Sequence, residues 1–128
     1  MINLQEIKEK RNILASFGYT WKPMSKGYSD QSLYINVSDR RFEVREISPE
    51  TKEKFIGGKG YGLRMLWDAI TPQTKWTDPE NEIVISGGPC CGITQYSGSG
   101  KSIVVALSPQ TERIIDSNAG GHFGPHLK

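Results

Sequence analysis

The run Ser102 to Leu107, SIVVAL, constrains this chain more than any other stretch. It is the most apolar strand pattern present, and near-continuous apolar character of that length reads as a buried, central strand. Glycine-bearing loops flank it: Gly98-Ser99-Gly100-Lys101 before, and Ser117-Asn118-Ala119-Gly120-Gly121 after. Glycine has no Cβ, so backbone N–H and C=O groups can approach a ligand closely. Two such loops joined by one stiff strand make a cradle suited to something polar and anionic. A fold that needed only turns would more often use two-residue hairpin connections. Twelve of the 14 glycines lie at or after Gly57, so this chemistry is confined to the C-terminal part.

The chain has 128 residues, room for one domain or part of one. A net charge of +2 is far from the bias of a nucleic-acid binder, and no nucleic-acid partner is expected. Cys90 and Cys91 are adjacent, which is neither the spacing of zinc or iron–sulfur ligation nor a useful disulfide loop. They read as small apolar fillers in a reduced protein. The start, MINLQEIKEKRN, is charged throughout, with no apolar core of a signal peptide after it. No apolar run approaches the length of a membrane span. The expectation is a soluble, cytoplasmic protein without a membrane partner.

Asn3 to Phe17 reads as a helix, with Leu4, Ile7, Leu14 and Phe17 near one face and Gly18 as its stop. Tyr19 to Asp30 has no period and reads as a linker or irregular arm. Ser32–Val37 and Arg41–Ile47 alternate around a polar turn, the pattern of a hairpin with one wet face. Ser48-Pro49-Glu50 starts a helix that runs to Ile56 and ends at Gly57-Gly58. A second helix spans Tyr61 to Ile70, and Pro72 closes it. Glu82–Ser86 reads as a short strand buried on both faces, and Arg113–Asp116 as a short return strand. Residues 121–128 have the composition of a helix start.

Three glycine motifs invite nucleotide readings. Gly98-Ser99-Gly100-Lys101-Ser102 resembles a P-loop, but Gln95 stands where its first glycine belongs, and Lys101 leads into a strand pattern rather than a helix. Gly57-Gly58-Lys59-Gly60-Tyr61-Gly62 resembles a dinucleotide loop, but Leu63 occupies the third glycine position. The alternatives are a hairpin loop with a solvated lysine and a glycine break between helices. Asp116 to Gly121 offers close backbone approach for an anion nest or carbonyls for Mg2+, against an ordinary strand-to-helix turn. His122 and His126, four apart, lack a third ligand nearby and read as a surface pair.

Taken in order, several segments resemble the N-terminal domain of the tungsten-containing aldehyde ferredoxin oxidoreductase family. Tyr34 to Ser38 with Phe42-Glu43-Val44 resembles its opening strand pair. Phe55 to Gly60 with Leu63 and Leu66 resembles its "(F/L)xGGRG" junction. Asp78-Pro79-Glu80-Asn81 followed by Ile83 to Pro89 resembles "SPENxLIxxxGP". Ser99-Gly100-Lys101 before a strand, Ser108-Pro109 after it, and Ser117 to Pro125 beside "SNSGGYFGPELK" complete the series. The resemblance covers about Leu33 to Lys128.

That resemblance implies an α+β fold, a β-rich sheet base with short crossing helices, forming the N-terminal half of the family's N-terminal domain. It divides the chain into an N-terminal helical extension and linker, 1–30, and a partial pterin-cofactor-binding domain, 31–128. The implied cofactor is a tungsten bis-pterin of molybdopterin type with Mg2+, and a 4Fe–4S cluster is expected only from other domains or a partner subunit. Carried over by position, the cofactor-binding residues are Lys101, Asn118, Ala119, Gly120 and Gly121, with the Asn118 backbone carbonyl directed to Mg2+. Lys101 stands where the family commonly has arginine, which keeps the charge but not the planar fork of donors. His122 replaces a common tyrosine, and Pro125-His126 departs from the usual acidic residue. No catalytic residue is assigned. The implied function is the tungstopterin-binding part of an oxidoreductase that oxidises aldehydes, or a related low-potential substrate, with ferredoxin as acceptor. The expected partners are the remaining domains or a partner subunit, since the family's domain continues past this point and this piece is expected to be a fragment, a truncated product or a split subunit. The alternative is a non-catalytic scaffold or assembly module derived from the same domain.

Overall fold

The computed structural model describes residues 4–20 and 22–128. Their contacts divide into two compact units, one made of the chain up to Lys22 with Gln31–Glu46, the other of Pro23–Asp30 with Ile47–Lys128.

The first unit holds helix α1, Leu4–Lys10, and the hairpin of β1, Gln31–Asn36, and β2, Arg41–Glu46. Helix α1 is shorter than the periodicity suggests. It ends at Lys10 instead of Phe17, and the expected first residue, Asn3, lies outside the described residues. Its Glu6–Lys10 pair forms as the spacing requires, yet none of its residues is buried. A helix this short gains little without a packed face. Phe17, expected on that helical face, instead stacks on Phe42, with ring centroids 5.4 Å apart.

The hairpin register pairs Leu33 with Val44 and Ile35 with Phe42, while Tyr34 pairs with Glu43 on the other face. Asn36 closes the turn by accepting the Asp39 N–H at 2.9 Å. On the polar face Arg45 lies 3.6 Å over the Tyr34 ring and pairs with Glu43 at 2.8 Å. The expectation of one wet and one dry face is not met, because Leu33 and Ile35 remain more than half exposed.

The second unit contains α2, Pro49–Phe55; α3, Gly58–Ala69; β3, Val84–Ser86; β4, Ser102–Leu107; β5, Ile114–Ala119; and α4, Phe123–Leu127. Ser48 caps α2 by accepting the Thr51 N–H at 3.1 Å, as the Ser-Pro-Glu start implies. The glycines after Phe55 do not form a long break. Helix α3 begins at Gly58, so Gly60 and Gly62 are helical. Gly62 explains why: a Cβ there would lie 2.8 Å from the Val105 side chain. Its absence lets the helix settle on the sheet.

The sheet has the order β3-β4-β5, all antiparallel, with SIVVAL in the centre as expected. Strand β3 is shorter than expected and is not buried on both faces. Ile83 lies outside it, and Ile85 is 42% exposed. By register, Val84, Ser86, Ile103, Val105, Asp116 and Asn118 share the face on which α3 lies, and Ile85, Val104 and Ser117 share the other. The core sits under α3, where Leu66 and Val105 are fully buried. Strand β5 is longer than the expected Arg113–Asp116. It takes in Ser117, Asn118 and Ala119, which replaces the expected turn at those positions, and every residue in it is exposed. Among the described residues, no helix is long and apolar enough to cross a membrane.

Candidate functional site

The β4–β5 ladder brings the two glycine-flanked loops to one end of the sheet. Ser102 pairs with Ala119 and Ile103 with Asn118. Lys101 therefore enters the sheet where Gly120 leaves it. Gly100 and Gly121 approach so closely that a Cβ on Gly100 would collide with the Gly121 carbonyl oxygen. Lys101 and the run Asn118 to Gly121, which begins 17 positions later, are thus gathered in one exposed strip.

The glycines of this end divide into two kinds. Some are filled from within. A Cβ on Gly124 would fall 2.8 Å from the Gly100 carbonyl oxygen and 2.9 Å from the Cys91 sulfur. Others are bare. Nothing lies within 4 Å of where a Cβ would stand on Gly120 or Gly121, and Gly121 has φ of +98°. Internal packing explains the first kind and the left-handed backbone explains Gly121, but neither explains Gly120. Open backbone beside a lysine is what a planar, phosphorylated ring system needs in order to lie flat with its charge answered. The carbonyl of Asn118 is a hard oxygen of the sort Mg2+ takes. These residues fit the tungsten-pterin group that the family resemblance implies.

The loop before Lys101 is built, not slack. Ser99 Oγ donates to the Ile93 carbonyl at 2.7 Å, and the Gly92 N–H donates to the Ser99 carbonyl at 2.9 Å. Cys91 is buried, and its thiol reaches the Lys101 carbonyl at 3.5 Å. It is a filler, as expected. Cys90 is exposed, so the filler reading fails for it. The Lys128 ammonium donates to the carbonyls of Pro89 and Cys91, holding the Gly-Gly-Pro turn against the chain's last residue. His122 precedes α4 and His126 lies within it, both exposed. Among the described residues, no group of three or more His, Cys, Asp or Glu could hold a metal.

Lys59 belongs to this end of the sheet; by sequence it falls in a glycine loop and in the GGRG-like junction, with no site role assigned. Its ammonium lies 2.7 Å from Asp116 Oδ1 on β5. A lone carboxylate on the helix-facing side of an otherwise apolar strand start was the available signal.

The chain is similar to segments of longer oxidoreductases. The family model described as "Aldehyde ferredoxin oxidoreductase, N-terminal domain" matches residues 32–128. A tungsten-containing aldehyde ferredoxin oxidoreductase of Pyrococcus horikoshii is 32% identical over 102 residues, 80% of this chain and 17% of that protein. The enzyme of the same description from Thermococcus kodakarensis is 35% identical over 96 residues, 75% of this chain and 16% of that protein. The WOR-like subunit of an aliphatic sulfonate oxidoreductase from Pyrococcus furiosus is 28% identical over 104 residues, 79% of this chain and 16% of that subunit. Among solved structures, the active-site complex BamBC of benzoyl coenzyme A reductase with 1,5-dienoyl-CoA is similar, with a TM-score of 0.74 and 30% identity. That match covers 79% of this chain and 15% of the other. The chain thus spans about one sixth of the length of the relatives it matches.

Proposed function

Because the chain belongs to the aldehyde ferredoxin oxidoreductase family, through that family's N-terminal domain, we propose that it supplies the pterin-binding surface of a tungsten-dependent oxidoreductase. Residues 31–128 carry that surface, and 1–30 are an extension outside it. The observation that carries the reading is the bare backbone at Gly120, beside Gly100 and Gly124, which the chain itself fills.

When bound, the tungsten bis-pterin supplies two-electron redox chemistry, oxidising an aldehyde or a related low-potential substrate with ferredoxin as acceptor. The chain's own residues bind and orient. Gly120 and Gly121 let the ring system reach the backbone. The Asn118 carbonyl would serve as an oxygen ligand to Mg2+ bound with the pterin. Lys101 answers phosphate charge as a point cation, without the bidentate fork of arginine. A 4Fe–4S cluster and the substrate pocket would come from other domains or from a partner subunit. The relatives act on aldehydes, aliphatic sulfonate and benzoyl-CoA by their names, which fits a shared cofactor surface with substrate choice made elsewhere.

The test is to purify the native assembly containing this chain and measure tungsten and pterin in it. Tungsten with an oxidised-pterin fluorescence signal is expected. An assembly containing neither would overturn the reading and leave the scaffold alternative.

A further inference from the structure

The first two turns of α3 reach all three strands of the sheet. The Gly58 N–H donates to the Gly87 carbonyl at 2.9 Å, and Ser86 Oγ donates to the Gly58 carbonyl at 2.7 Å. Both fix the helix start to the end of β3. Gly62 seats the helix on Val105 of β4. Lys59 completes the set by reaching Asp116 of β5 at 2.7 Å.

Strand β5 needs such a tie. It is an edge strand, exposed at all six residues. Beyond its ladder to β4, Ser102 Oγ reaches the Ala119 carbonyl only at 3.5 Å, the limit of a hydrogen bond. Edge strands with few buried contacts are drawn from the low-stability end of a fold. Asp116 and Asn118 lie on the same face, two residues or about 7 Å apart along the strand. Asp116 is the less exposed partner, at 28% against 57% for Lys59. A pair this open contributes little to global stability. Its effect is local, because one partner stands on an anchored helix start and the other on a loosely held strand.

We infer that Lys59 is a positioning residue: by holding Asp116 it fixes the β5 segment that presents the Asn118 carbonyl and the open backbone of Gly120. This rests on the reading of that segment as the cofactor surface. Lys59 acts through Asp116 and does not itself touch the cofactor.

The experiment uses the intact assembly with four variants: Lys59→Met, Asp116→Asn, Lys59→Arg, and the charge-reversed double variant Lys59→Asp with Asp116→Lys. Amide hydrogen exchange across β5 and tungsten and pterin content are read in each. Lys59→Met and Asp116→Asn are expected to speed exchange at Ser117 to Gly120 by about tenfold and to lower cofactor content severalfold. Lys59→Arg and the double variant restore both. Unchanged exchange in Lys59→Met overturns the inference. So does lost cofactor with unchanged exchange, since that outcome makes Lys59 a direct contact. So does failure of the reversed pair to restore exchange. A wild-type assembly without tungsten or pterin defeats the cofactor reading alone, because the exchange measurements still decide whether Lys59 holds β5.

Discussion

The β1–β2 hairpin and the β3-β4-β5 sheet are built from the same kind of sequence and come to different ends. Both are antiparallel, and register lines up apolar side chains on one face of each, although Ser86, Asp116 and Asn118 share that face of the sheet. In the hairpin that face stays wet, with Ile35 55% exposed. In the sheet the matching face is dry at its centre, with Val105 fully buried. Alternation sets the strands in both, but only the sheet has a helix lying on it. A two-stranded hairpin is marginal in water without a third strand or a helix. It is held here by an aromatic stack and by the Arg45–Tyr34–Glu43 face. The core of this chain is therefore a property of α3 and the glycines that seat it, more than of strand patterning.

The contrast breaks most sharply at its centre. Leu66→Ala should cost about 3 kcal/mol in urea denaturation, since the side chain is fully buried. Ile35→Ala should cost less than about 1 kcal/mol, since little of its area is removed from water. Equal losses would mean that the hairpin is as well packed as the sheet. Next in size, Gly62→Val should cost about 2 kcal/mol by forcing the helix away from the rigid, buried Val105. If that variant keeps wild-type stability, the helix is not seated through that glycine.

The smallest effect lies in the hairpin. The Arg45 guanidinium, hydrogen-bonded to Glu43, holds that carboxyl below its usual range. A lowered value in the folded state adds stability above the ordinary carboxylate range and loses it as pH falls through the lowered value. Both groups are solvent-exposed, so the contribution to folding is slight. Arg45→Ala should nevertheless raise the Glu43 titration midpoint toward its ordinary value by carbon-13 NMR. An unmoved midpoint would show that the pair does not persist in solution.

Much of this architecture was legible in the residues. Ser48-Pro49 announced α2, SIVVAL announced the central strand, and the two alternating runs around a polar turn announced the hairpin. The misses share one cause, since burial and pairing are decided by what lies opposite. Gly58 and Gly60 read as a break because their helix is licensed by contacts with β3 and with Phe55, not by propensity. Ser117 to Ala119 read as a turn because polar residues resist a strand until β4 supplies a ladder. Apolar residues in α1 and β1 read as buried faces, yet no neighbour among the described residues covers them fully. Lys101 and Asn118 to Gly121 were singled out by motif order, and the β4–β5 pairing brings these candidates to one end of the sheet. The Lys59–Asp116 tie was not, because it joins positions 57 residues apart through a helix start whose docking only the fold displays.

On the proposed reading, the open backbone just after β5 receives the pterin group. The most direct measurement is the tungsten and pterin content of the native assembly carrying Gly120→Val, beside its thermal stability. Because Gly120 has free space where a Cβ would stand, the substitution should leave the melting temperature of cofactor-free material unchanged while cofactor content falls at least about tenfold, a loss of about 1.4 kcal/mol in binding. Full tungsten and pterin loading in Gly120→Val would contradict the account.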